Sequence, residues 1–342
     1  MKEGKMALTL NDLKKYEESL MQNNLCLAHS FDGVHCSCNG STIGSHSIAR
    51  QAILSKIAEN GEVYVWEQNV AKMHHYHEIS DGQNHGIELT KWGVKKASVF
   101  PGFCKYHDEF LFNRIDSPIY SFDKEVILQM HYRAISYEYY YKKNGAALIE
   151  YALDNGRYDP AIDEVLCNFK LGLSDLELEK KTCELAYSNK NENNSVKAVI
   201  YSFDTEIPVV CVSSWLPCHT INGEPFFESL EEKQAPSIGL TLGMDANNNA
   251  FWAITYTRYD KYVKKFLDNL DSYRNKNLLD IAILFSLHFS QNACCRPSWF
   301  DKLQKWQKTN IVRNYNRLSE YDFEPVTGIR ILNKSYKTIK IL

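Results

Sequence analysis

The sequence predicts an α+β fold in which helices towards the C-terminus flank an antiparallel sheet. One observation is a set of four segments with strand-like length and composition, joined in part by hairpin-like turns: residues 196–203, 207–215, 238–244 and 250–257. The other is helical periodicity on either side of them, at 123–145, in two segments that begin at Pro160 and Ser174, and at 261–270, 278–290 and 297–314. Separate runs of helices and strands are typical of α+β proteins. A last strand is predicted at 328–332.

The composition is that of a soluble globular protein. Of the 342 residues, 44% are hydrophobic and 24% are charged. No apolar run approaches the roughly 20 residues of a membrane span, and the first residues lead into a polar helix, so we expect a cytoplasmic protein without a membrane partner. Ten cysteines in a long chain without a secretion signal are expected to be reduced thiols. Four of them lie among apolar residues and are predicted to be buried packing residues: Cys26, Cys167, Cys183 and Cys211.

The N-terminal third mixes short predicted elements. Apolar residues at 48, 52, 53 and 57 recur at helical spacing, which predicts a helix that starts at His46 and ends before Gly61. Strands are predicted at Val63–Trp66 and at 95–100, and a short helix at 108–112. This third of the chain also contains the densest grouping of potential metal ligands.

Cysteine and histidine are paired at two separate places in this region. Cys36 and Cys38 come before about sixty intervening residues, and Cys104 and His107 follow them, after a Pro-Gly turn and at a predicted helix start. Zinc takes thiolate and imidazole ligands, and two short pairs distant in sequence can close one tetrahedral site. We therefore expect about one zinc ion per chain, bound by Cys104, His107, Cys38 and either Cys36 or His46.

These patterns divide the chain into three predicted parts. Residues 1–116 form a zinc-binding unit, 117–190 a helical connector, and 191–342 the antiparallel sheet with the C-terminal helices.

Charge is distributed unevenly along the chain. Residues 116–257 contain 11 Lys and Arg against 21 Asp and Glu, whereas residues 258–342 contain 16 against 8. The basic segment could contact nucleic-acid phosphates or pack on the acidic one, and both interpretations stay open. One predicted helix carries a cluster of basic residues: Lys302, Lys305, Lys308 and Arg313. These residues either form a solvated face of the helix or bind phosphate.

The split pair of knuckles resembles the one that encloses the active site of HNH (ββα-metal) nucleases, where cysteines before and after the catalytic core hold a structural zinc. The resemblance covers about residues 30–115, so the unit at 1–116 is HNH-like in this interpretation. Cys36 and Cys38 take the place of the first pair, and Cys104 and His107 that of the second. Blocks of the form Ser-His-x-Ile and Gly-Phe-Cys-x-x-His-Asp are also similar to blocks in uncharacterised bacterial proteins, which implies a bacterial origin and no particular activity.

The resemblance implies roles for further residues. The segment Ser45-His46-Ser47-Ile48 stands where the family has its catalytic histidine motif, with Ser45 in place of the acidic residue. His46 would then be the general base for attack of water on a phosphodiester, and Mg²⁺ or Mn²⁺ would neutralise the developing charge. Asn84 takes the position of the family's asparagine. The implied partner is nucleic acid, and nucleases of this kind commonly act in bacterial defence or as toxins.

Two other interpretations assign the metal differently. In the first, His46 completes a zinc shell with Cys38, Cys104 and His107, and the zinc is purely structural because four protein ligands leave no position for water. The protein would then be a non-catalytic effector or binding module. In the second, His107-Asp108 is the doublet of a metal-dependent HD phosphohydrolase, with His74 or His77 as an earlier ligand. A protein partner or a homo-oligomer is open in each case.

Overall fold

The fold contains eight α-helices and ten β-strands within the part of the chain that the computed structural model describes, which is residues 8–23, 25–29, 38, 40–66, 88–156, 160–188, 195–226, 236–316, 330–332 and 335–341. The helices are α1 (Leu10–Gln22), α2 (Lys105–Phe112), α3 (Lys124–Asp154), α4 (Pro160–Ser188), α5 (Lys261–Asp271), α6 (Leu278–Phe289), α7 (Pro297–Lys302) and α8 (Lys305–Asn316). The strands are β1 (Ile43–His46), β2 (Glu62–Trp66), β3 (Leu89–Gly93), β4 (Val99–Phe103), β5 (Lys197–Phe203), β6 (Val209–Trp215), β7 (Ile238–Met244), β8 (Ala250–Tyr256), β9 (Ala293–Cys295) and β10 (Thr338–Ile341). The predicted α+β fold with antiparallel sheets and C-terminal helices is confirmed.

Eight strands form one antiparallel sheet in the order β10-β5-β8-β7-β6-β9-β2-β3. Every residue of β7 and β8 is buried, because helices cover both faces. On β8, Thr255 bonds to His131 of α3, whereas Trp252 contacts Phe285 of α6. Side chains alternate along a strand, so α3 and α6 lie on opposite faces of the sheet. Strands covered on both faces are apolar throughout, which is why these two segments are predictable from sequence.

Helices α3 and α4 form a long hairpin on one face of the sheet. Asp123 caps α3, because its side chain accepts the backbone N–H of Val126 at 3.0 Å. The helix end predicted at Gly145 and the helix start predicted at Ser174 are both wrong, since α3 and α4 continue through those positions. Gly145 marks a close approach of the two helices instead: a Cβ atom there would lie 2.4 Å from the Phe169 ring.

The central helix of the opposite face is α6, which is buried along nearly its whole length. Its buried Asp280 carboxylate accepts the backbone N–H groups of Ile331 and Leu332 at 2.7 Å each, and the Tyr336 hydroxyl at 3.0 Å. These bonds attach the C-terminal segment to the layer of helices.

Two C-terminal predictions differ from the structure. The single helix predicted at 297–314 is two helices, α7 and α8, with a break at 303–304. The strand predicted at 328–332 is not formed by its described residues, 330–332, since Asp280 takes the backbone N–H groups of Ile331 and Leu332. The final strand is β10, which pairs with β5 at the sheet edge.

The helix predicted to start at His46 is also wrong. His46 ends β1, which pairs with β4 in a separate two-stranded ribbon, and turns follow up to a 3₁₀ helix at Leu54–Lys56. The apolar side chains at 48, 52, 53 and 57 are buried, and the backbone N–H of Ser47 donates to the Ser98 carbonyl at 2.8 Å. The chain directly after His46 is thus paired with the segment before β4.

Strands from both ends of the chain share the main sheet. β2 and β3 come from the N-terminal third, and β9 joins them to β6. The division of the chain into parts at residues 116 and 190 stays a prediction. The shared sheet connects the first of these parts to the last. Within the described ranges, no helix combines the length and the apolar character that crossing a bilayer requires.

Candidate metal centre

Cys104 and His107 lie at the junction of β4 and α2. Cys104 is the N-cap of α2, and its sulfur accepts the backbone N–H of His107 at 3.5 Å. An N-cap side chain turns back over the first helical turn, so it approaches the residue three positions later. The helix start therefore brings the two side chains of the Cys-x-x-His motif together.

The loop after α1 brings two more cysteines to this junction. The backbone N–H of Cys26 donates to the Gly40 carbonyl at 2.9 Å, and the Cys26 sulfur accepts the backbone N–H of Cys104 at 3.3 Å. Cys38 comes from the segment just before Gly40, where the chain turns with a φ of +84°. Glycine adopts this left-handed conformation without steric cost, which suits a tight turn beside the cluster.

Four donor atoms converge at this place: the sulfurs of Cys26, Cys38 and Cys104 and a ring nitrogen of His107, all within 4.8 Å of one another. His107 Nδ1 lies 3.2 Å from the Cys26 sulfur and 3.5 Å from the Cys104 sulfur. Tetrahedral zinc, with bonds of about 2.3 Å to sulfur and about 2.0 Å to nitrogen, holds these donors about 3.6 Å apart. The cluster can therefore hold a metal ion such as zinc.

Burial controls the protonation of these donors. It raises the pKa of the Cys26 thiol to about 12, although the hydrogen bond from the Cys104 backbone N–H acts in the opposite direction. Burial also raises the pKa of Cys38, and there the Cys104 side chain adds to the effect. Burial lowers the pKa of His107, which favours the neutral imidazole that binds metal. A divalent cation supplies the positive charge that stabilises buried thiolates, so metal binding here is coupled to release of thiol protons.

The structure brings together three of the four residues predicted as zinc ligands. Cys38, Cys104 and His107 share the cluster, Cys26 provides the fourth donor, and Cys36 lies outside the described residues. Cys26 is buried as predicted, and its sulfur is also one of the four donor atoms of the cluster. Its neighbours Leu25, Leu27 and Ala28 are apolar, so the local sequence carries no sign of a ligand.

His46 is not one of the four residues of the cluster. It lies at the end of β1, with Nδ1 3.4 Å from the Ser98 hydroxyl. Burial and, secondarily, the nearby Arg50 lower its pKa, which favours the neutral imidazole. Because the helix predicted to start at His46 is not formed, a helix dipole is not the cause of this shift. The other predicted catalytic residue, Asn84, lies outside the described residues.

The ligands of the HD interpretation are not brought together by the described residues. Asp108 is not part of the cluster, and burial raises the pKa of its carboxyl, which lies beside Ser45. His74 and His77 lie outside the described residues. Cys167, predicted to be buried, is exposed on α4.

Comparison with known proteins gives no match. No protein-family model matches the sequence, and neither a curated protein nor a solved structure matches the chain. No related protein therefore indicates a role for the cluster, and its chemistry follows from the properties of its own four residues.

Proposed function

We propose that the protein binds one zinc ion and that this zinc is structural. The observation that supports the proposal is the convergence of three cysteine sulfurs and one histidine nitrogen from the two ends of the N-terminal unit. Three thiolates and an imidazole form a ligand set typical of structural zinc sites. Four protein ligands complete the tetrahedral shell, so this ion has no open position at which to activate water. The role suits a non-catalytic effector or binding module.

The elements around the cluster are short. The β1–β4 ribbon has only two strands, and α2 has 8 residues. Two-stranded hairpins and helices of this length are marginal in water on their own. A zinc ion joining the loop after α1 to the β4–α2 junction would contribute its binding free energy to the folding of this region.

The zinc content of protein purified without chelators tests the proposal. We expect one equivalent of zinc, and replacement by Co²⁺ should give the visible absorption of a tetrahedral thiolate site. Cys104→Ser should lower both the zinc content and Tm. Cys167→Ser is the matched control, because Cys167 is exposed and outside the cluster. Zinc-free wild-type protein, or a Cys104→Ser variant that keeps its zinc, would contradict the proposal.

A second candidate is an HNH-like nuclease of bacterial origin that acts on nucleic acid in defence or as a toxin. One observation favours it: His46 is held by Ser98 in a half-buried position that favours the neutral imidazole required of a general base. Mg²⁺ or Mn²⁺ would then be the catalytic ion, separate from the structural zinc.

Cleavage assays with and without His46 test this second candidate. The wild type should cleave DNA or RNA in Mg²⁺ or Mn²⁺, and His46→Ala should abolish cleavage while zinc content and Tm stay unchanged. The absence of cleavage of both nucleic acids by the wild type would remove the nuclease candidate and leave the structural zinc untouched.

A further inference from the structure

The exposed side of α8 forms an open groove with an unusual combination of side chains. Its lining consists of Gln304, Lys305, Trp306, Thr309, Asn310 and Arg313, and it is shallow and open to solvent. We propose that this groove, which we term the α8 groove, binds single-stranded nucleic acid. The proposal does not depend on the zinc site.

The opposite side of α8 fixes the groove in place. Ile311 is fully buried and Tyr315 is 5% exposed. The Tyr315 ring stacks on Trp66 of β2 with centroids 3.9 Å apart and an interplanar angle of 12°. Because the packing residues point away from the groove, changes to its lining should leave the fold intact.

Trp306 supplies an aromatic surface in the groove. The residue is 54% exposed, although large aromatic side chains are usually buried. Its indole N–H donates to the Gln304 side-chain oxygen at 2.6 Å, which restricts the orientation of the ring. A half-exposed, oriented indole is suited to stacking on a nucleobase, an interaction that tolerates any base.

The charge of the groove is positive. Lys305 and Arg313 line it, and none of its lining residues is acidic. The nearby Asp301 carboxylate is engaged by the Tyr64 hydroxyl at 2.9 Å and lies 3.7 Å from the Lys91 ammonium. The lining of the groove therefore carries two cations and no carboxylate.

The spacing of these groups fits a nucleic-acid strand. Trp306, Thr309, Asn310 and Arg313 lie at i, i+3, i+4 and i+7 and so share one helix face. They extend over about 10 Å at 1.5 Å per residue. At about 3.4 Å per nucleotide, this is the length of roughly three stacked nucleotides. A duplex would hide its base faces from Trp306, so the aromatic ring favours a single strand.

Fluorescence anisotropy with labelled 12-nucleotide oligo(dT) and oligo(U) tests the proposal. We expect binding at low salt that weakens as salt rises. Trp306→Ala should weaken it about tenfold, and Trp306→Phe should restore most of the loss because a ring remains. Lys305→Gln and Arg313→Gln should each make the slope of log K against log salt shallower by about 0.7.

Matched controls separate the α8 groove from the rest of the surface. Tyr120→Ala removes an 83% exposed aromatic residue just before α3, and Lys124→Gln removes an exposed cation at the start of α3. Neither change should affect binding. Three results would each overturn the proposal: neither oligonucleotide binds, Trp306→Ala binds like the wild type, or polyglutamate or a duplex of equal charge competes as well as the single strand.

Discussion

Replacing Cys26 by serine removes one sulfur from the cluster while nearly keeping the size of the side chain. Cys26 is 3% exposed, and its sulfur lies 3.2 Å from His107 Nδ1 and accepts the Cys104 N–H. A serine hydroxyl is a poor zinc ligand at neutral pH, because the oxygen keeps its proton. Cys26→Ser therefore leaves three ligands, whereas Cys36→Ser should leave all four in place.

The expected size of the effect follows from the energy of structural zinc sites. Apparent binding free energies are about 10–16 kcal/mol at pH 7, which is about 2.5–4 kcal/mol per ligand if four ligands share it equally. Loss of one ligand should therefore weaken zinc binding by about 10²- to 10³-fold. Cys183→Ser measures the separate cost of burying a hydroxyl, since Cys183 is fully buried and outside the cluster.

Competition with a chromophoric chelator gives the zinc affinity of each variant, and Tm with and without EDTA gives its link to folding. EDTA should lower Tm of the wild type and of Cys36→Ser, and it should lower Tm of Cys26→Ser much less. The ligand set inferred from the structure would be refuted if Cys26→Ser bound zinc like the wild type, or if Cys36→Ser lost as much affinity as Cys26→Ser was expected to lose.

The remaining predictions concern buried ionisable groups. Asp280→Ala should lower the free energy of unfolding by about 4 kcal/mol in urea titrations, because three hydrogen bonds to a buried carboxylate are lost; a change below about 1 kcal/mol would contradict this. Asp116→Ala should cost about 2 kcal/mol in the same assay, because it leaves the buried Arg133 guanidinium without its bidentate partner, and an unchanged midpoint would count against that role. Burial lowers the pKa of His288 to about 3, so below pH 6.5 the unfolded state takes up a proton that the folded state does not, and stability falls as the pH falls. Between pH 7 and pH 5 the wild type should lose about 2 kcal/mol more than His288→Leu, and equal losses would show that His288 does not titrate on unfolding.

The second half of the fold is largely predictable from the sequence. The predicted strand at 238–244 coincides with β7, and the one at 250–257 differs from β8 by one residue. Both strands are buried on two faces and end in turn residues, so their pattern reflects the tertiary environment as well as local propensity. The Ser174 motif misled the prediction because a capping sequence is also compatible with a helix interior when tertiary packing continues the helix.

The candidate site is only half predictable. Cys104 and His107 follow a turn and begin a helix, and this local geometry is encoded in adjacent residues. Cys26 reaches them through backbone pairing with Gly40, a contact that local sequence patterns do not indicate. The apolar positions after His46 are buried and have helical spacing, but this spacing alone does not distinguish a helix from turns that pair with a neighbouring segment.

The order of the strands has a consequence for synthesis on the ribosome. β2 is joined to the rest of the main sheet by β9, which emerges roughly 230 residues later. At about 5–20 residues per second, the open edge of β2 waits on the order of 10–50 s for its neighbour. An unpaired strand edge is a template for association with other chains. The cysteine and histidine cluster is complete by residue 107, so a metal ion captured early would give the nascent N-terminal region a local structure throughout that interval.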